Sequence, residues 1–90
     1  MKIVILRELG KEYDTNEFAK YYEKKLESGV KELWFCIGPA EGWGDLANIN
    51  VNIDFVSLSR LTMQHDLAFL VLTEQIYRAV SIKNNLPYHK

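Results

Sequence analysis

The residues KIVILRE, Lys2–Glu8, form a nearly unbroken run of aliphatic and β-branched side chains, the composition of a strand buried on both faces. A second such run, KELWFCIG, Lys31–Gly38, ends on a glycine. Between them lies DTNEFAKYYEKKLESG, Asp14–Gly29. Asp14 with Glu17 three residues later is a capping-box pattern, Phe18, Tyr22 and Leu26 recur at helical spacing, and Gly29 supplies the stop. Strand, helix and strand in that order predict a crossover unit with its two strands paired in parallel.

Working outward, NVNIDFVSLS, Asn50–Ser59, alternates Val51, Ile53 and Phe55 against Asn52 and Asp54, which predicts a third strand with a wetter beginning. TMQHDLAFLVLTEQIYRAVSIKNN, Thr62–Asn85, is expected to be a long final helix, with Thr62 as its N-cap and Asn84, Asn85 and Pro87 as its stop. From Leu67 to Leu72 this helix is apolar all round, more than one face of a small core requires. A subunit interface is therefore expected there, and a dimer is the default.

Ninety residues, 48% of them hydrophobic, make one domain, 1–90, near the small end of what a single core supports. The lone Cys36 cannot form an internal disulfide. No apolar run reaches transmembrane length and MKIVILRELG is too short in apolar residues for a signal peptide, so the chain is read as cytoplasmic with no membrane partner. Eleven basic against twelve acidic residues leave a net charge of −1, without the global field that drives non-specific nucleic-acid binding.

The turn FCIGPAEGWG, Phe35–Gly44, contains three glycines that could close backbone N–H groups around a phosphate. No Lys follows, Pro39 lacks an N–H, and Glu41 repels an anion. A ligand with little negative charge suits it better. No metal site is assigned.

SLSRLTMQHDLAFLVLTEQIYRAVSIKNNLPYHK, Ser57–Lys90, resembles the end of the RlmH family of SPOUT methyltransferases, which modify a pseudouridine in large-subunit ribosomal RNA. The carrying features are Leu58 to Thr62, His65 before Leu67, the EQIYRA block from Glu74 to Ala79, and the terminal PYHK. FCIGPAEG and LRELGKEYDTNEFA resemble the family's glycine turn and the segment before it, so the likeness spans almost the whole chain, though only the C-terminal part of the family.

The resemblance implies a minimal SPOUT-like α/β knot: a small parallel sheet with flanking helices, closed by a C-terminal trefoil knot, and lacking the family's N-terminal strands and helices. It also implies a homodimer through the last helix and bound S-adenosylmethionine. Cofactor contacts carried over by position are Leu6, Gly38, Leu58, Ser59, Arg60, Leu61, Thr62 and Met63. Tyr88 and His89 are the candidates for catalysis at the acceptor base, and His65, Arg78 and Lys90 for RNA contacts. Arg78 has a rival role, pairing with Glu74 at i, i+4 spacing. Two positions depart from the pattern: Pro39 replaces a glycine and Phe69 an arginine. The implied function is S-adenosylmethionine-dependent methylation of RNA. The alternative is a non-catalytic knotted dimer that regulates or scaffolds, with a second chain covering an exposed sheet edge.

Overall fold

A computed structural model describes residues 2–37 and 52–88. Its elements run β1 (Lys2–Glu12), α1 (Thr15–Glu27), β2 (Leu33–Ile37), β3 (Asn52–Ser57) and α2 (His65–Lys83). The strands form one sheet in the order β2-β1-β3, parallel throughout, with the first strand of the chain at its centre. Ile3 lies beside Trp34 on one side and Ile53 on the other.

The pleat sorts these residues onto two faces. Val4 and Leu6, with their neighbours Phe35, Ile37 and Val56, turn toward the helices and form the core with Phe18 of α1 and Leu72 of α2. Ile5, on the opposite face, is fully buried, as expected for a central strand. Burying Phe18 or Leu72 contributes about 1.5–3 kcal/mol each. On the face opposite the helices, Trp34 is 53% exposed, so it does not pack into the core as a strand position would suggest. Leu26, also expected on the buried face of α1, is exposed instead.

Both helix ends of α1 follow the sequence. The Asp14 carboxylate accepts from the Glu17 N–H, and the Glu17 carboxylate accepts from the Asp14 N–H, each at 2.8 Å. Gly29, just beyond the Ser28 cap, takes φ +85°. The start of α2 differs: its N-cap is Gln64, whose side chain makes no capping bond, two residues beyond Thr62. Its end is a Schellman turn, with Asn85 at φ 55°, the Asn85 N–H donating to the Ile82 carbonyl and the Leu86 N–H to that of Ser81.

β1 runs on past its buried part and returns to β3. Leu6 and Lys11 both pair with Val56, so residues 7–10 bulge out between them, with Leu9 almost fully exposed. Gly10 makes the return possible: a Cβ there would lie 2.7 Å from the Val56 backbone and 2.8 Å from that of Phe55. Gly10→Ala is therefore expected to cost about 1–3 kcal/mol in urea denaturation. An unchanged midpoint would mean that the bulge moves away from β3 without penalty.

Candidate functional site

Leu6, Ile37 and Val56 stand at one level across the sheet, at or next to the carboxyl ends of the paired runs. In an open parallel sheet this end, where the chain departs to either side of the first strand, is where ligands bind. From Val56 the chain passes through Ser57 into the segment Leu58–Met63, which belongs to neither strand nor helix. The Ser59 hydroxyl accepts the Leu61 N–H at 3.0 Å and tightens the turn. Leu58, Ser59 and Met63 are half-buried, whereas Arg60, Leu61 and Thr62 face solvent. Arg60 lies 3.8 Å from Glu12, both side chains well exposed, a pair that contributes little.

Beneath this segment is a cavity of about 280 Å³ between the sheet and the two helices. Tyr13, Phe18, Val56, Leu58 and Val71 give it apolar walls; Asp14, Ser57 and Gln75 add polar groups. Ser57 is 3% exposed and, among the described residues, its hydroxyl has no hydrogen-bond partner, an orphaned polar atom at the strand end. Of the expected cofactor contacts, Leu58 lines the cavity, and Leu6 is the register neighbour of Val56, which lines it. Gly38 and Pro39, with the rest of the glycine turn, lie outside the described residues, as do His89 and Lys90.

α2 carries the remaining candidates at separate places. His65 is its first residue and is exposed. Arg78 lies thirteen residues on, about 20 Å along the helix by its rise, so one chain does not bring these two together. Arg78 donates from Nε to Glu74 Oε2 at 2.6 Å, the i, i+4 pair that the spacing suggested. Glu74 has further partners. Tyr88 donates its hydroxyl to the same oxygen at 2.9 Å, and Gln75 donates to Oε1 at 2.9 Å. Tyr88 also stands edge-on to Tyr77, ring centroids 4.5 Å apart, with the Arg78 guanidinium 5.1 Å from its ring. A polar tail after a proline is expected to hang free; Tyr88 instead docks on α2 because it finds an acceptor, a ring and a cation there together. The Tyr88 hydrogen bond, with those of Arg78 and Gln75, holds the Glu74 carboxyl below its usual range, and the Glu74 bond raises the Tyr88 phenol.

A second polar cluster sits at the amino end of the sheet. Asp54 accepts from the Lys2 ammonium at 2.8 Å and the Tyr21 hydroxyl at 2.5 Å, and Lys25 lies 3.6 Å away. The Lys2 side chain is only 4% exposed. Burial raises the Asp54 carboxyl, but the Lys2 and Tyr21 hydrogen bonds and the charges of Lys2 and Lys25 outweigh it and lower the carboxyl below its ordinary value. Burial and the bond to Asp54 push the Tyr21 phenol up. Alternation within the third strand marked Asp54 as wet. Its register beside Val4, on the helix-facing side, is what encloses it.

The fold defines an α/β protein with a small parallel three-stranded sheet and two helices. A family model described as "Predicted SPOUT methyltransferase" matches residues 1–89. The chain belongs to the SPOUT methyltransferase family, as the RlmH resemblance implied. Proteins named ribosomal RNA large subunit methyltransferase H are 41% identical over 86 residues in Porphyromonas gingivalis, 41% over 87 in Kosmotoga olearia and 34% over 87 in Koribacter versatilis. These alignments cover 96–97% of this chain and 54–59% of the relatives, so the chain spans about half the length of the curated relatives it matches. Among the described residues no helix is long and apolar enough to cross a membrane.

Proposed function

We propose that residues 1–90 form one SPOUT-like domain, equivalent to the C-terminal part of its longer relatives, closed by a trefoil knot and paired as a homodimer through α2. It binds S-adenosylmethionine and methylates RNA in the cytoplasm, the target being a uridine or pseudouridine of ribosomal RNA. The observation that carries the reading is the convergence of Leu6, Ile37 and Val56 at one strand-end level, from which Ser57 and the Leu58–Met63 segment depart.

The residues present suit the cofactor. The orphaned Ser57 hydroxyl can donate to a ligand oxygen or nitrogen, apolar Leu58 and Val56 can flank an adenine, and the turn backbone offers further hydrogen bonds. Asp14 brings negative charge to a ligand that carries a positive sulfonium, and the site needs no Lys. When bound, S-adenosylmethionine supplies an electrophilic methyl group. The work left to this chain is alignment of the acceptor nitrogen and disposal of its proton. Tyr88 is assigned to hold the base, and His89 to stand near the departing proton. Arg78 and Lys90 serve phosphates, and His65 contacts RNA from the start of α2. A second chain covers the exposed sheet edge.

S-adenosylmethionine should raise the melting temperature by mass action, with about 2.7 kcal/mol of stabilisation at a hundredfold excess over Kd. No shift at millimolar ligand sinks the cofactor assignment. A labelled methyl group should then pass to ribosomal RNA. Binding without transfer moves the assignment to the non-catalytic, cofactor-binding dimer.

A further inference from the structure

Gln75 is a half-buried amide on the wall of the strand-end cavity, held by a residue that does not line that cavity. Its Nε2 donates to Glu74 Oε1 at 2.9 Å. Arg78 and Tyr88 both donate to the other Glu74 oxygen and hold the carboxyl below its usual range, so it stays ionised. An ionised carboxylate only accepts. The Gln75 nitrogen must therefore face Glu74, and the Gln75 oxygen must turn away from it. Among the described residues nothing donates to that oxygen.

The cavity thus carries two uncommitted polar groups of known character. Gln75 offers an acceptor, and the buried Ser57 hydroxyl, also without a partner among the described residues, can donate or accept. Around them Tyr13, Phe18, Val56 and Leu58 form aromatic and aliphatic walls. At about 280 Å³ the space is smaller than the about 300–1,000 Å³ of pockets that enclose a whole drug-sized ligand, and it suits one flat ring system. Leu58 joins it directly to the Leu58–Met63 segment, so a ring held here belongs to a ligand that continues along that segment. Adenine has the matching chemistry: an apolar face, an exocyclic amine that donates, and ring nitrogens that accept. A purine with a carbonyl oxygen in place of the amine would set oxygen against the Gln75 oxygen.

We propose that Gln75 determines which purine the cofactor site takes: its oxygen accepts from the exocyclic amine of adenine while Ser57 bonds a ring nitrogen, and Glu74 holds the Gln75 amide in that orientation. This rests on the S-adenosylmethionine reading above. The preference has a definite sign because the amide cannot simply turn over. Reversed, it would offer N–H to a 6-oxo purine, but its own oxygen would then face the Glu74 carboxylate. Glu74 touches no part of the ligand and acts through Gln75 as a positioning residue.

The test is calorimetric titration of the intact chain with S-adenosylhomocysteine and with S-inosylhomocysteine, which carry an amine and an oxygen, respectively, at the same place on the purine. The parent should bind the adenine compound about tenfold tighter or more, because a site built for an N–H donor rejects the analogue that lacks it. Gln75→Met should weaken the adenine compound alone and erase the preference. Ser57→Ala should weaken both compounds by a similar factor, since its hydroxyl serves either base. Glu74→Ala should reduce the preference by tightening the inosine compound, as the freed amide turns over. It changes no cavity residue, so it carries the test if Gln75→Met fails to fold by circular dichroism. A parent that binds both compounds equally overturns the role of Gln75 and leaves the cofactor reading standing. So does a Gln75→Met variant that keeps the preference, or that weakens both compounds alike and so places Gln75 against their shared part. A preference unchanged in Glu74→Ala overturns the positioning by Glu74. A parent that binds neither compound at millimolar concentration overturns the cofactor reading and this role with it.

Discussion

Asp54→Ala is expected to destabilise the protein by about 3–5 kcal/mol, because it strands the nearly inaccessible Lys2 ammonium without its partner. For a domain of this size each kcal/mol moves Tm by about 4–8 °C, so the loss should be plain in a thermal scan. Lys2→Met should cost clearly less, since Asp54 keeps Tyr21 and Lys25 and sits in a wetter position. Equal penalties, or a small one for Asp54→Ala, would mean that Lys2 reaches water when released. The cluster also sets an acid limit. A carboxyl lowered in the folded state contributes stability that is fully present above its unfolded value, near 3.8, and is lost as pH falls through the lower folded one. Asp54→Asn should remove that part of the acid dependence.

Phe69→Arg is expected to break the proposed dimer. Phe69 and Leu70 of α2 are about 60% exposed in the single chain and Leu67 is 50% exposed, an apolar surface that polar solvent does not favour. If α2 meets a second α2 there, an arginine at 69 becomes an unpaired charge in a dry interface, at a cost of several kcal/mol. Light scattering should then report monomer at concentrations where the parent is a dimer. A dimer of unchanged stability would place Phe69 on a free surface and remove this helix from the interface.

The sheet was legible because local and long-range signals agree. The apolar runs of β1 and β2, the Asp14–Glu17 cap and the Gly29 stop each fix a boundary on their own. The strand-end site was legible only through resemblance, since Leu6 and Leu58 are ordinary core residues to any pattern of polarity. Two features escaped because they depend on partners distant in sequence. Asp54 looks solvated in its own strand, and only Lys2, fifty-two positions earlier, and Tyr21, thirty-three earlier, make it structural. Tyr88 looks like a loose end until Glu74 and Tyr77 face it. The bulge at residues 7–10 has one sequence signal, Gly10, but glycine in a strand does not say which backbone will approach it.

The central place of β1 has a consequence for how the chain assembles. β1 has both its edges filled by strands that follow it in the sequence, and its β3 edge pairs Ile3 with Ile53. A nascent chain can form α1 locally as soon as its cap and stop have emerged, but β1 then has no neighbour to pair with. The entropy of closing such a long loop must be met before these contacts stabilise anything, so the β1–β3 pairing forms late. Until residues 52–57 leave the ribosome, the β3 edge of Val4, Ile5 and Leu6 stays unpaired, an apolar edge that a chaperone would grip.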